Sequence, residues 1–209
     1  MIGRAATKMK QGERREQSYE ALLSAAQKLF VSEGFRQTTV DQIANSAKLT
    51  KGAVYFHFKS KTQILLKLLE RSERVVLHQM IEAIRTSGPT AKEKLVAFIH
   101  NQAMLGETQH YEVLLLILTS LEARHRSRVI AKKVEEIYDR MYDEIEKIIV
   151  LGQKSKEFRN DLRPREAAAI FIASHDGTFL EWHRRREKLN GPQLVRALRG
   201  INLNGIFAR

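Results

Sequence analysis

The chain has 209 residues, with 36 Lys and Arg against 24 Asp and Glu, a formal charge of +12, and no cysteine. A disulfide framework, a thiolate zinc site, an iron–sulfur cluster and a cysteine nucleophile are therefore excluded, and nothing points to an oxidising compartment. Apolar residues make up 43% of the sequence, enough for a real core and against intrinsic disorder.

No apolar run approaches the length needed to span a bilayer, and Met1 to Arg15 is basic and polar, unlike a secretory leader. A soluble, cytoplasmic protein with no membrane partner is expected. Only three prolines, Pro89, Pro164 and Pro192, interrupt a chain in which apolar residues recur every three or four positions. That period fits helices, so the fold class is all-α. Charge is uneven: residues 1 to 62 hold eleven Lys or Arg and five Asp or Glu, which makes this third more than twice as basic per residue as the remainder. A surface facing a polyanion and a merely solvated basic surface both fit that excess.

Residues 1 to 13, with Arg4, Lys8 and Lys10 and little apolar content, read as a basic arm or an inert tail. A first helix is predicted from about Arg14 to Glu33, with Leu22, Leu23, Ala26, Leu29 and Phe30 on one face and Gly34 as its left-handed stop. Thr39 and Gln42 have the spacing of a capping box and start a short second helix carrying Val40, Ile43, Ala44 and Ala47. Thr50 caps a third helix, Lys51 to Phe58. Ser60 and Gln63 form a second box, opening a fourth helix expected to run unbroken to Arg85.

Five more helices are expected, at about 90 to 105, 109 to 124, 127 to 153, 165 to 186 and 192 to 203. In the third of these, Ile130, Val134, Ile137, Met141, Ile145 and Ile148 form one stripe. Ala167 to Trp182 is apolar nearly all round and must be covered on both sides, by its own chain alone or by its own chain and a second copy approaching over Ala169, Ala173 and Gly177.

The second and third helices, joined by a three-residue turn, make a helix-turn-helix whose second member fits a DNA major groove. Val54 and Phe58, four apart, should face the core with Leu49, leaving Lys51, Gly52 and Tyr55 on the other side. Hydroxyls at Thr38, Thr39 and Thr50 suit phosphates, and Lys51, Lys59 and Lys61 add salt-dependent attraction.

Gly34-Phe35, Thr38-Thr39-Val40, Ile43-Ala44, Ala47, Leu49-Thr50-Lys51-Gly52, Val54-Tyr55-Phe56-His57-Phe58, Lys59-Ser60-Lys61 and Leu65 or Leu66 together resemble the N-terminal domain of the tetracycline-repressor (TetR) family of bacterial transcription regulators. The resemblance covers about residues 14 to 66. It implies a helix-turn-helix DNA-binding domain at 14 to 62 and a helical ligand-binding and dimerisation domain at 63 to 209. It also implies that Lys51, Gly52 and Tyr55 approach base edges with Ala53 at the groove floor, while Thr38, Thr39, Thr50, His57 and Lys61 hold phosphates. The threonines serve equally well as caps alone, His57 can act on the helix dipole, and Phe56, lacking a hydroxyl, is expected to pack. Lys48 stands where the family usually has glycine; a left-handed backbone there costs a non-glycine residue about 1 kcal/mol.

By the same resemblance the chain is a ligand-responsive regulator, a repressor by family habit. It pairs as a homodimer through its last two helices on a near-palindromic double-stranded operator and is released by a small-molecule effector; it is nucleoid-associated and needs no cofactor or metal. Phe98, Met104, Phe171, His175 and Trp182 are candidates to line the effector pocket, each also explicable as core, and His175-Asp176 is the odd polar pair in an apolar segment. Two other readings compete. Glu107 with His110 and Glu122 with His125 have the Glu-x-x-His spacing of di-metal carboxylate enzymes, although they sit near helix ends. A nonspecific DNA-packaging protein would explain the charge but not the large apolar C-terminal part. Other catalytic motifs are absent from the sequence.

Overall fold

A computed structural model describes residues 11–122 and 127–207 of the chain. The described residues are helical, with an isolated antiparallel bridge between Phe158 and Phe207. They fall into two compact units that divide between Leu68 and Leu69.

The first unit begins with α1, Gln11–Ser32, so Gln11 to Glu13 form its first turn rather than part of an arm; Arg4, Lys8 and Lys10 lie outside the described residues. Leu22, Leu23, Ala26 and Phe30 are buried along one face of α1. Gly34 adopts φ +86°, the left-handed conformation that ends helices with little strain in a residue lacking Cβ. Next come α2 (Val40–Ser46), α3 (Lys51–His57) and α4 (Lys61–Ser72). Ile43, Ala44, Val54, Phe58, Ile64, Leu65 and Leu68 complete the core.

At the start of α2 both halves of the expected capping box are present: the Gln42 amide donates to Thr39 Oγ1 at 3.2 Å and the Thr39 amide to Gln42 Oε1 at 2.7 Å. The second box is displaced. The Gln63 amide donates to Ser60 Oγ, but the Gln63 side-chain oxygen accepts from the Lys59 amide at 2.6 Å, one residue before the cap.

In the second unit the expected unbroken helix to Arg85 is a composite. After α4, residues Glu73–His78 form a π-helical turn, and α5 resumes over Gln79–Thr86. Neither proline nor glycine marks the change. At its start the Glu73 carboxylate accepts from Lys133 at 2.5 Å and Arg140 at 2.7 Å on a later helix, a tertiary contact that local sequence does not encode.

The remaining helices are α6 (Ala91–Thr108), α7 (His110–Glu122), α8 (Arg128–Lys154), α9 (Pro164–Arg184) and α10 (Gly191–Ile206). All six residues of the α8 stripe are buried, and α8 packs most extensively on α9. On α9 only Ala168, Phe171 and Ile172 are buried, whereas Ile170 is 63% exposed and the position of a Gly177 Cβ is open space. Its own chain therefore covers one side of α9 and leaves the other bare. No helix of the described residues is long and apolar enough to cross a membrane.

Gly152 is buried in α8 under the Phe158 ring, which occupies the place of any added Cβ. Substituting alanine normally stabilises a helix by up to about 1 kcal/mol. Here Gly152→Ala is expected to destabilise by about 1–3 kcal/mol through overpacking, read as a lower Tm; a raised Tm would contradict this packing.

Candidate functional site

Three local features fix how α3 is displayed. The α2–α3 turn is closed by the Leu49 amide on the Ala44 carbonyl at 2.9 Å, with Lys48 left-handed at φ 56°. Lysine thus tolerates the conformation for which glycine is the unstrained choice. The Thr50 hydroxyl accepts from the Ala53 amide at 3.2 Å, capping α3. On the inner side of α3, Val54 is 1% and Phe58 2% exposed, and Phe58 stacks on Tyr19 of α1 with centroids 5.1 Å apart.

The outer side carries Lys51, Gly52, Tyr55 and Phe56, all exposed, with Ala53 half-buried among them. Lys51 donates to Asp41 of α2 at 2.9 Å, a hydrogen bond that raises its pKa and keeps it charged. Tyr55 is 53% and Phe56 66% exposed. Phe56 was expected to pack; its ring instead faces outward with the Arg15 guanidinium 5.2 Å from its centroid. The α3 spacing holds the signal, since residue 56 falls about 200° round the helix from Val54.

Other expected phosphate holders are committed to the protein itself. Thr38 is fully buried and donates its hydroxyl to the Gly34 carbonyl at 2.8 Å. Lys61 donates to the carbonyls of Phe35 and Thr38, both at 2.6 Å, and of Arg36 at 3.3 Å, with Nζ 4.5 Å from the Phe35 centroid. It fastens the α1–α2 corner, where carbonyls without helix partners need donors. His57 Nε2 lies 2.7 Å from Ser18 Oγ, which itself donates to the Arg15 carbonyl, so the ring is the donor in this pair. Burial, aided by the Arg15 charge, lowers the His57 pKa, so the neutral ring is favoured. Thr39 and Thr50 stay exposed at helix N-termini, with their backbone amides directed as caps require.

The second unit carries a half-open cavity of about 380 Å³ among α6, α9 and α10, with Val113 of α7 also in its lining. Met104, His175 and Trp182 line it. Phe98 and Phe171 do not: they are 1% and 4% exposed in the core, with Phe98 edge-on to His175 at 4.6 Å between centroids. Gln102, Phe179, Leu198 and Arg199 are further lining residues that sequence periodicity alone did not single out. Desolvation pushes His175 down to about 4 and Asp176 up to about 6, while the Tyr138 hydroxyl donates to Asp176 at 2.9 Å and offsets part of the latter effect.

Of the di-metal pattern, His125 lies outside the described residues; Glu107 lines the cavity and His110 rests against Tyr111. Among the described residues no three His, Asp or Glu side chains gather where a metal could be held.

A short capped helix held out on a buried pedestal in the first unit, and a half-open cavity in the larger second unit, define a ligand-responsive DNA-binding regulator of the helix-turn-helix class. The sequence model of the bacterial regulatory proteins of the tetR family matches residues 22–68, and that of the YsiA-like protein C-terminal region matches residues 70–204. The chain belongs to the tetR family. The structure of the MbdR regulator from Azoarcus sp. CIB is 44% identical, with 91% of this chain and 100% of that one covered and a TM-score of 0.84. The fatty acid metabolism regulator protein of Bacillus subtilis (strain 168) is 28% identical over 188 residues, 90% of this chain and 95% of its own. A structure of the regulator FadR from Bacillus subtilis in complex with stearoyl-CoA is 27% identical, covering 90% of this chain and 99% of that one at a TM-score of 0.72.

The two shifted groups in the cavity wall respond oppositely to acid. Between pH 6.5 and about 4 the unfolded chain protonates His175 and the folded one resists, so acidification lowers stability. Between about 6 and 3.8 the folded chain protonates Asp176 first, so acidification raises it. Asp176→Asn removes only the second effect. Its Tm is expected to fall further than that of the unmodified protein between about pH 7 and about pH 4.5, and equal falls would refute the opposition.

Proposed function

We propose that the chain is a homodimeric repressor whose α3 reads a near-palindromic operator and whose second unit releases DNA when a small molecule enters the cavity. The observation that carries this reading is the exposed outer face of α3, with Lys51, Gly52, Tyr55 and Phe56 presented opposite the buried Val54 and Phe58. In a major groove Lys51 and Tyr55 approach base edges, Gly52 and Ala53 let the backbone come close, and Phe56 lies against sugars or a thymine methyl. First-turn amides of α2 and α3 that the Thr39 and Thr50 caps leave unused, such as those of Asp41 and Gly52, face phosphates, and Lys48 and Lys59 add attraction. Thr38, His57 and Lys61 are not part of this contact set, because Thr38 is fully buried and the other two bond part-buried groups of α1 and the α1–α2 corner, whereas the Lys51–Asp41 pair is exposed and can open to DNA.

Pairing uses α9 and α10. Exposed Ile170 and Ile201, at 63% and 74%, lie among small exposed residues such as Ala173, Gly177 and Gly205, and a second copy would cover that apolar surface. Two-fold pairing places two recognition helices on half-sites about 34–36 Å apart. The relative whose structure holds stearoyl-CoA supports a small molecule as effector. The link between cavity and operator is α4: Leu65 and Leu68 belong to the first unit, while Ser72 donates to the Glu112 carbonyl at 3.0 Å within the second. Family membership supports regulation over catalysis.

The test is selection of bound fragments from random duplexes, followed by binding to the selected site at several salt concentrations. Tyr55→Ala and Lys51→Ala are each expected to weaken operator binding about tenfold or more without unfolding, with the logarithmic salt slope less steep by about one for Lys51→Ala. Unchanged affinity in both variants would remove α3 as the reader. Enrichment of no sequence would favour nonspecific packaging.

A further inference from the structure

Asp176 of α9 stands in the cavity wall, and its two oxygens are treated differently by the protein. Oδ2 accepts from the Tyr138 hydroxyl of α8 at 2.9 Å. Oδ1 has no donor among the described residues, yet it is not shut off from water as Gln102 Nε2 and His175 Nε2 are. Burial raises the pKa of this carboxyl to about 6 and the Tyr138 bond offsets part of that rise, so the group is ionised at neutral pH. No cation enters that balance, although Arg196 and Arg199 line the same cavity from α10; Arg199 meets His100 instead, at 3.2 Å. A largely buried carboxylate is ordinarily paired, and one neutral hydroxyl is less than such a group finds elsewhere. An ionised carboxylate only accepts, so what Oδ1 lacks is a donor.

We propose that Asp176 Oδ1 is a recognition point for the ligand of the cavity, and that this ligand presents an N–H or O–H donor to it. This rests on the regulator reading and specifies the chemistry of its effector. The Tyr138 bond occupies Oδ2 and leaves Oδ1 for the incoming group. An ammonium and a neutral hydroxyl both supply the donor, and the ammonium also brings the missing countercharge, which makes the stronger bond. A ligand offering only an acceptor sets its lone pairs against those of the carboxylate. Elsewhere the wall mixes Phe179, Trp182 and Leu198 with the charges of Glu107, Arg196 and Arg199, so it imposes no single polarity on the rest of the ligand. About 380 Å³ equals roughly a dozen waters at ~30 Å³ each, room for a ring and a short substituent.

Trp182 is the chain's single tryptophan and lines the cavity, so its indole N–H gives one NMR signal that reports occupancy. Benzylamine, benzyl alcohol, anisole and ethylbenzene are close in size and shape and differ in what they offer: a charged donor, a neutral donor, an acceptor alone, and neither. Titrated into the full-length protein at neutral pH, at least one of the two donor probes should bind about tenfold or more tighter than anisole and ethylbenzene. Benzylamine binding the tighter of the two identifies a cationic ligand, and benzyl alcohol binding the tighter identifies a hydroxylated one. Asp176→Leu should abolish the donor preference while ethylbenzene still binds, which also shows that the variant is folded. Asp176→Asn, the milder change, should reduce the preference several-fold because an amide accepts more weakly and carries no charge. Anisole or ethylbenzene binding as tightly as both donor probes, a donor preference that survives in both Asp176 variants and so belongs to another wall group such as Glu107, or no response to either donor probe at millimolar concentration would overturn the assignment. Operator binding without probe, measured alongside, reads the regulator proposal separately.

Discussion

Burial of Val54 and Phe58 is the constraint from which the display of α3 follows. Two apolar side chains one turn apart, one of them stacked on Tyr19, leave a seven-residue helix a single way to lie, and its other face must then look outward. So short a helix is unstable alone, and its order comes from this packing together with the Thr50 cap. Lys61 contributes from behind by gathering three carbonyls of the α1–α2 corner onto one ammonium. The residues that hold α3 in place are therefore distinct from those it presents.

The second unit shows the same division between supporting and displayed groups. Its long apolar stripe on α8 is buried, whereas α9 is buried on one side only and carries His175 and Asp176 where the cavity meets the packed interior. Glu73, held by Lys133 and Arg140, opens the π-helical turn that follows α4. A widened turn is a less regular piece of helix than its neighbours, and here an ion-pair cluster secures it within the second unit.

Much of this was legible in the sequence because the determinants are local. The Thr39–Gln42 box, the Thr50 cap, the glycine stop at Gly34 and the i, i+4 pair Val54–Phe58 each act within a few residues, and the α8 stripe repeats often enough to be unambiguous. Features set by distant partners were not legible. Glu73, at the start of the π-helical turn, pairs with two side chains sixty or more residues away, and Lys61 has carbonyl partners more than twenty residues before it. Thr38, read as a phosphate holder by resemblance, turned inward to its own corner, while Phe56 turned outward because helix geometry outweighs the lack of a hydroxyl. In the cavity, three of five expected residues reach the wall; the two phenylalanines pack behind it, since an apolar residue in a helix looks the same whether it meets another helix or a void.

In the proposed function the outer face of α3, and no other surface of the first unit, meets DNA bases. Site-specific photocrosslinking addresses it most directly: a benzophenone side chain placed in turn at Tyr55, at Gln37 and at Lys28, each irradiated with the selected operator duplex. The proposed role of α3 requires base-specific adducts from position 55 within each half-site and none from positions 28 or 37. Adducts arising from position 28 or 37 while position 55 stays unreacted would contradict it.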